Sequence, residues 1–200
     1  VVNNDNADSG DLDIYADITI TGQAGIQPRI RNTIGDRVFH VINASAKLSL
    51  SNLMLQMSGG PTISGGAVFV VDGGFSADLL SVYSNTGYVG GGITITGSPA
   101  FSINRSTVAY NTSYANGGGL NLQFGATGTI VNSSIFANFA PLINTTNYPG
   151  AGLFVYGPAN VQVIHTTITQ NYSAYYGGGF SAINTTASPA PVTFGNSIIS

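Results

Sequence analysis

Apolar and polar residues alternate in short bursts along most of the chain. Ile93-Thr94-Ile95, Leu120-Asn121-Leu122 and Leu153-Phe154-Val155 each put the flanking residues on one face and the middle residue on the other. A period of two describes half-buried strands, because successive side chains of a strand point to opposite sides. On this pattern Ile93, Ile95, Leu120, Leu122, Leu153 and Val155 point inward, whereas Val68, Thr94, Asn121, Phe154 and Ser181 point outward. Further short strands are predicted at 101–103, 128–131 and 160–164. No stretch carries the 3.6-residue period of an amphipathic helix.

The bursts repeat. Glycine pairs or triplets precede them, with Gly66, Gly92, Gly119, Gly152 and Gly179 as corner residues. Read this way, the first apolar positions are Ala67, Ile93, Leu120, Leu153 and Phe180, at intervals of 26, 27, 33 and 27. A second landmark, an aliphatic residue three before an Asn, gives Asn85, Asn111, Asn138 and Asn171 at intervals of 26, 27 and 33. The shared long interval marks an insertion at 142–149, rich in Asn, Thr and Pro, which reads as a protruding loop near 139–150. A repeat of about 27 residues with three short strands and three turns is too short for a propeller blade of roughly 40. It fits an all-β, right-handed single-stranded parallel β-helix, the hand following the chirality of parallel crossovers. Residues 1–60 form irregular N-terminal coils or a cap and 61–200 the regular coils, in one continuous domain. Gln56 is assigned to the Asn slot of an early copy. The segment Asn196-Ser197-Ile198-Ile199 starts a copy whose Asn falls beyond position 200.

An inward Asn at one place in successive coils can stack at the strand spacing of about 4.8 Å and bond both its neighbours and the turn backbone. Asn85, Asn111, Asn138 and Asn171 are therefore expected to form a structural ladder.

Composition narrows the function. Charged residues are 6 % of the 200, against about 25 % in an average globular chain. No apolar run approaches the roughly 20 residues of a membrane-spanning helix. The opening Val1-Val2-Asn3-Asn4-Asp5 does not read as a signal peptide. There is no Cys, so no disulfide framework. Five scattered basic residues argue against nucleic-acid binding. All eight acidic residues are Asp, and from position 79 onward Arg105 is the one permanently charged side chain. Asn, Ser, Thr, Gly and Tyr take the place of charge, as in extracellular β-proteins.

Gly65-Gly66-Ala67-Val68 and the segments Val82 to Asn85, Val108 to Asn111, Ile135 to Asn138 and Ile168 to Asn171 resemble the paired motifs of the polymorphic outer membrane proteins. These belong to the bacterial secreted β-helix proteins with pectate-lyase-like coils. The departure is Val or Ile where that pattern has Phe. The stretch from Ser9 to Gly22, with Asp36-Arg37-Val38-Phe39-His40-Val41, looks like the start of such domains in bacterial surface proteins. The resemblance implies a right-handed β-helix that is secreted or displayed at the cell surface. It leaves activity open, since the same superfold hosts adhesins and polysaccharide-cleaving enzymes.

Those enzymes resemble one another in using paired carboxylates, or a Ca²⁺ cluster with a basic residue. The regular coils offer Asp72 and Asp78, read as solvated turn residues, and Arg105, which has no carboxylate near it in sequence. His40 and His165 read as outward strand residues. No catalytic residue is therefore assigned, and no cofactor is required. Asp5, Asp8, Asp11 and Asp13 form the one candidate Ca²⁺ cluster, of hard oxygen ligands at close spacing. Tyr83, Tyr88, Tyr110, Tyr114, Tyr172, Tyr175 and Tyr176 gather between the Asn and Gly landmarks of successive coils and form a candidate binding ridge. Such a ridge suits self-association, surface carbohydrate or other surface proteins. Asn43, Asn104, Asn132, Asn144 and Asn184 are Asn-x-Ser/Thr glycan acceptors, whereas the same motif at Asn111 and Asn171 is blocked by the ladder. The expected role is an extracellular structural or adhesive solenoid, self-assembly into filaments included. The alternative is a polysaccharide lyase or glycoside hydrolase.

Overall fold

A computed structural model describes residues 10–97, 99–141, 150–174, 177–183 and 191–200. The chain is a parallel β-solenoid of about 6 turns of ~27 residues. One coil shows the plan. Ile93–Thr96 lies in the first sheet, Ala100–Asn104 in the second, Thr107–Ala109 in the third and Thr112–Ser113 in a short fourth. The next coil repeats it with Leu120–Gln123, Thr127–Val131, Ser134–Phe136 and Phe139–Ala140. Among the described residues the first three sheets each have 7 strands and the fourth has 4. Among the described residues there is no helix, hence none long and apolar enough to cross a membrane.

The fourth sheet was not legible in the three-strand reading. Its two-residue strands arise because the chain stays extended after each ladder Asn. Thr112 N–H donates to Asn85 O at 2.9 Å and Phe139 N–H to Asn111 O at 2.8 Å. The irregular N-terminal coils use the same plan. Leu12–Ile14 pairs with Phe39–Val41, and that strand pairs with Val68–Val71.

The core is a set of axial columns. Leu55, Val82, Val108, Ile135 and Ile168 stack through the third sheet, and Val70, Ile95, Leu122 and Val155 through the first. All are buried. Full burial of such a side chain is worth about 1.5–3 kcal/mol.

Two expectations about facing are corrected. Val68 pairs with Ile93, so it points inward and is fully buried. Gly65-Gly66-Ala67 is the counterpart of Gly90-Gly91-Gly92, so the alignment that matched Ala67 to Ile93 was one residue off. Thr94, Asn121 and Phe154 do lie on the outer face of the first sheet, yet they are buried. The glycine-rich loop folds back over them. Gly90 and Gly117 take left-handed φ values of 67° and 64°, and a Cβ on either would strike Thr94 Oγ1 at 2.0 Å or Asn121 Cβ at 2.7 Å.

Within the glycine-rich loops Gly65, Gly90, Gly117 and Gly177 are left-handed, one or two residues before the corner glycines Gly66, Gly92, Gly119 and Gly179. Gly92, Gly119 and Gly152 have another reason to be glycine: they press against the Asn ladder. A Cβ on Gly119 would lie 2.7 Å from Gly152 O and 3.0 Å from Asn138 Cγ. Gly119→Ala is expected to destabilise the fold by about 1–3 kcal/mol, the usual cost of overpacking. A chemical denaturation curve checks this, and an unchanged midpoint would contradict the contact.

Candidate functional site

The asparagine ladder forms as expected. Asn85 Nδ2 donates to Asn111 Oδ1 at 2.9 Å, Asn111 Nδ2 to Asn138 Oδ1 at 3.0 Å and Asn138 Nδ2 to Asn171 Oδ1 at 2.9 Å. Each Oδ1 also accepts the backbone N–H of the preceding rung, and each Nδ2 also donates to a strand carbonyl, Val82 O for Asn111 and Val108 O for Asn138. Asn111 therefore makes four side-chain bonds with nothing left over. The rung before Asn85 is Ser58, whose N–H donates to Asn85 Oδ1; Gln56 pairs instead with Tyr83. A residue with left-handed φ precedes each rung: Ser84, Tyr110, Ala137 and Gln170. A non-glycine residue adopts that conformation at a cost and holds it only where its surroundings enforce it.

A second, hydroxyl ladder runs through the turn between the second and third sheets. Leu80 N–H donates to Ser106 Oγ, Ser106 N–H to Ser133 Oγ and Thr166 N–H to Ser197 Oγ, at 3.1–3.2 Å. Each hydroxyl turns back onto the carbonyl two residues earlier. Left-handed Arg105, Asn132, His165 and Asn196 precede these rungs. The signal was visible as a hydroxyl residue just before each third-sheet strand, but Ser and Thr are so frequent here that it did not stand out.

Aromatic rings line the outside next to the ladder. Tyr110 sits between Tyr83 and Phe136, with centroids at 4.9 and 5.6 Å. Phe139 and Tyr172 stack at 5.4 Å with planes 24° apart. Tyr110, Phe139 and Tyr172 are 49 %, 39 % and 59 % exposed. Of the expected tyrosines, Tyr83 and Tyr110 meet beside Phe136, and Tyr172 meets Phe139 on the fourth sheet; Phe136 and Phe139 are neighbours that a tyrosine pattern missed. Tyr88 is exposed and Tyr114 half-buried in the glycine-rich loop; Tyr175 and Tyr176 lie outside the described residues. A further pair, Phe124 and Tyr156, meets edge-on at 5.3 Å at another corner.

Charge collects in the first two coils. Arg37 Nε bonds Asp11 Oδ2 and lies 3.9 Å from Asp36 Oδ1. His40 Nδ1 lies 3.4 Å from Asp13 Oδ1 and 3.9 Å from Asp11 Oδ2. All five residues are buried. Burial pushes the Asp36 carboxyl above its ordinary value, and a hydrogen bond from Arg37 N–H partly offsets this. His40 was expected to be an exposed strand residue. It does sit on the outer face, but it is buried there, and its ring stacks on Phe69 at 5.0 Å. His165 is exposed, at a turn rather than on a strand. Of the expected Ca²⁺ cluster, Asp11 and Asp13 come together here, and Asp5 and Asp8 lie outside the described residues.

Asp72 and Asp78 do not form a carboxylate pair. Asp72 lies in the turn before the strand Gly74–Asp78 and Asp78 at its far end, and the four rises of that strand span about 13 Å. Paired glycosidase carboxylates lie roughly 5–9.5 Å apart. Asp78 instead ends that strand and meets Arg105 one coil on, with Arg105 Nε at 2.9 Å and a second bond from Nη2. The Arg105 bonds hold the Asp78 carboxyl below its usual value. A lowered carboxyl stabilises the fold above its unfolded value of 3.8, and this is lost as pH falls through the lower folded value. Asp78→Asn is thus expected to lower the thermal midpoint slightly at pH 7 and not at pH 2. An equal gap at both pH values would contradict it.

The glycan acceptors are placed unevenly. Asn132 is exposed. Asn43 Nδ2 donates to Tyr15 O, and Asn104 Nδ2 to Asp78 Oδ1, both at 2.9 Å. Asn144 and Asn184 lie outside the described residues, as does the inserted loop at 142–149.

The fold and its columns define a parallel β-solenoid with an asparagine ladder. No family model matches the chain, and no curated protein or solved structure matches it significantly.

Proposed function

We propose that this solenoid is a non-enzymatic structural or adhesive element working outside the cell, and that the aromatic ridge is the surface it presents. The observation that carries this is an outer aromatic surface of two clusters on neighbouring sheets, Tyr83 with Tyr110 and Phe136, and Phe139 with Tyr172. Its rings contact one another within two groups, and three of them are substantially exposed. Aromatic rings held on a ladder-spaced backbone lose little conformational entropy on binding, and they stack on sugar faces or on a second copy of the ridge. The low charge supports the reading, because it leaves little repulsion to oppose packing between copies. The kinship with polymorphic outer membrane proteins belongs to this proposal too, resting on the motifs around Gly65 and the ladder asparagines.

The test is retention of the purified chain on insoluble cellulose, chitin and peptidoglycan, with negative-stain microscopy of the same sample. Retention or filaments are expected from the native chain. Both should fall at least tenfold in the triple variant Tyr110→Ser, Phe139→Ser, Tyr172→Ser. A native chain that is monomeric and unretained, or one that cleaves the polysaccharides, would overturn the reading.

A further inference from the structure

The structure assigns a second site, independent of the ridge: we propose that Asp11, Asp13 and His40 bind a divalent transition-metal ion, such as Zn²⁺, between the first and second coils. One oxygen of each carboxylate and one ring nitrogen of His40 lie within 4.8 Å of one another, and all three residues are buried. His40 Nδ1 stands 3.4 Å from Asp13 Oδ1 and 3.9 Å from Asp11 Oδ2, separations that suit a common ion. Donors at about 2.0–2.1 Å from a tetrahedral centre lie about 3.4 Å apart.

The backbone builds this arrangement. Asp13 and His40 are register partners on adjacent parallel strands, so their outer-face side chains stand one above the other. Asp11 is two residues before Asp13 and shares its face. Phe69, the next residue in the column, fixes the plane of the imidazole at 11° to its own ring. Arg37 holds Asp11 through Oδ2, and Oδ1 of this buried carboxylate has no hydrogen-bond partner among the described residues.

The charge inventory points the same way. Asp11, Asp13 and Asp36 bring three carboxyl groups into this buried cluster, against the one guanidinium of Arg37 and the imidazole of His40. A divalent cation adds positive charge where carboxyl groups outnumber cationic side chains, and carboxylates in a protein interior are stable when they coordinate a metal. One imidazole with two carboxylates selects a borderline ion of the Zn²⁺ type over Ca²⁺, which takes six to eight oxygens.

The test uses the full chain stripped with a chelator and titrated with ZnCl₂ by calorimetry. One equivalent is expected to bind. Asp13→Asn and His40→Gln should each weaken binding at least tenfold, and His165→Gln should not. The sequence has only two histidines, so the ring signals of the native chain give a readout that needs no variant to fold. Zn²⁺ should shift the His40 ring and leave His165 in place. Absence of Zn²⁺ uptake by the folded native chain would overturn the proposal. So would unchanged affinity in folded His40→Gln, or Ca²⁺ uptake with the His40 ring unmoved, which would mean a site of oxygens alone.

Discussion

Asn111→Ala is expected to destabilise the solenoid by about 2–5 kcal/mol. The Asn111 amide makes four bonds, and two of its partners are backbone groups of the neighbouring coil, Asn85 N–H at 3.0 Å and Val82 O at 3.0 Å. Each buried backbone group left without a partner costs roughly 1–3 kcal/mol. The other two partners keep alternatives, since Asn85 Nδ2 still reaches Leu55 O and Asn138 Oδ1 still receives Asn111 N–H. The loss is therefore local, at the junction of two coils, as in any solenoid whose repeats touch only their neighbours. Amide exchange at Asn85 should accelerate before that of distant coils. Asn111→Asp sharpens the point. It keeps the acceptor and removes the donor, setting a buried carboxylate against Asn138 Oδ1 and Val82 O. Its folded-state pKa should be raised, so this variant should be more stable at pH 4 than at pH 7. Denaturant unfolding followed by circular dichroism measures both, and a loss under 1 kcal/mol for the Ala variant would mean the ladder is ornamental to stability.

Asp11→Ala is expected to cost about 3–5 kcal/mol in chelator, where no metal contributes. Arg37 is 3 % exposed and among the described residues keeps Ser64 O at 3.2 Å, the Phe69 ring at 5.4 Å and the more distant Asp36. Removing one partner of a buried pair leaves an uncompensated charge, which is the costly outcome; removing both often is not. The double variant Asp11→Ala, Arg37→Met should therefore be more stable than Asp11→Ala alone. A thermal-melt cycle over the four proteins gives the comparison, and additive losses would show that the two side chains are not coupled.

Much of the fold was legible before any coordinates. The rungs Asn85, Asn111, Asn138 and Asn171 stood out because a turn that needs a buried amide tolerates few substitutes. Ser58 was missed for the same reason in reverse, since a hydroxyl can offer the acceptor Oγ without looking like an amide. Val68 was misfaced because Gly65-Gly66-Ala67-Val68 allows two alignments against Gly90-Gly91-Gly92-Ile93. In a strand, a slip of one residue exchanges its two faces.

The candidate sites were less legible. The tyrosine pattern did not show Phe136 beside Tyr110 or Phe139 beside Tyr172, which meet only through coil stacking. Nothing local marks His40 as the partner of Asp13 or Arg105 as the partner of Asp78. They meet because parallel register places residues one coil apart, 27 positions in both cases, at touching distance.

The sequence by itself determined the strand period, the coil length, the ladder rungs and the place of the insertion. Each of these is a property of spacing, and spacing is local. Tertiary structure alone decided the burial of Asp13, His40, Thr94, Asn121 and Phe154 on the outer face, the grouping of Asp11 and Asp36 around Arg37, and the pairing of Asp78 with Arg105. Those depend on which residues lie above one another along the axis and on a glycine-rich loop folding back over a face that alternation assigns to solvent.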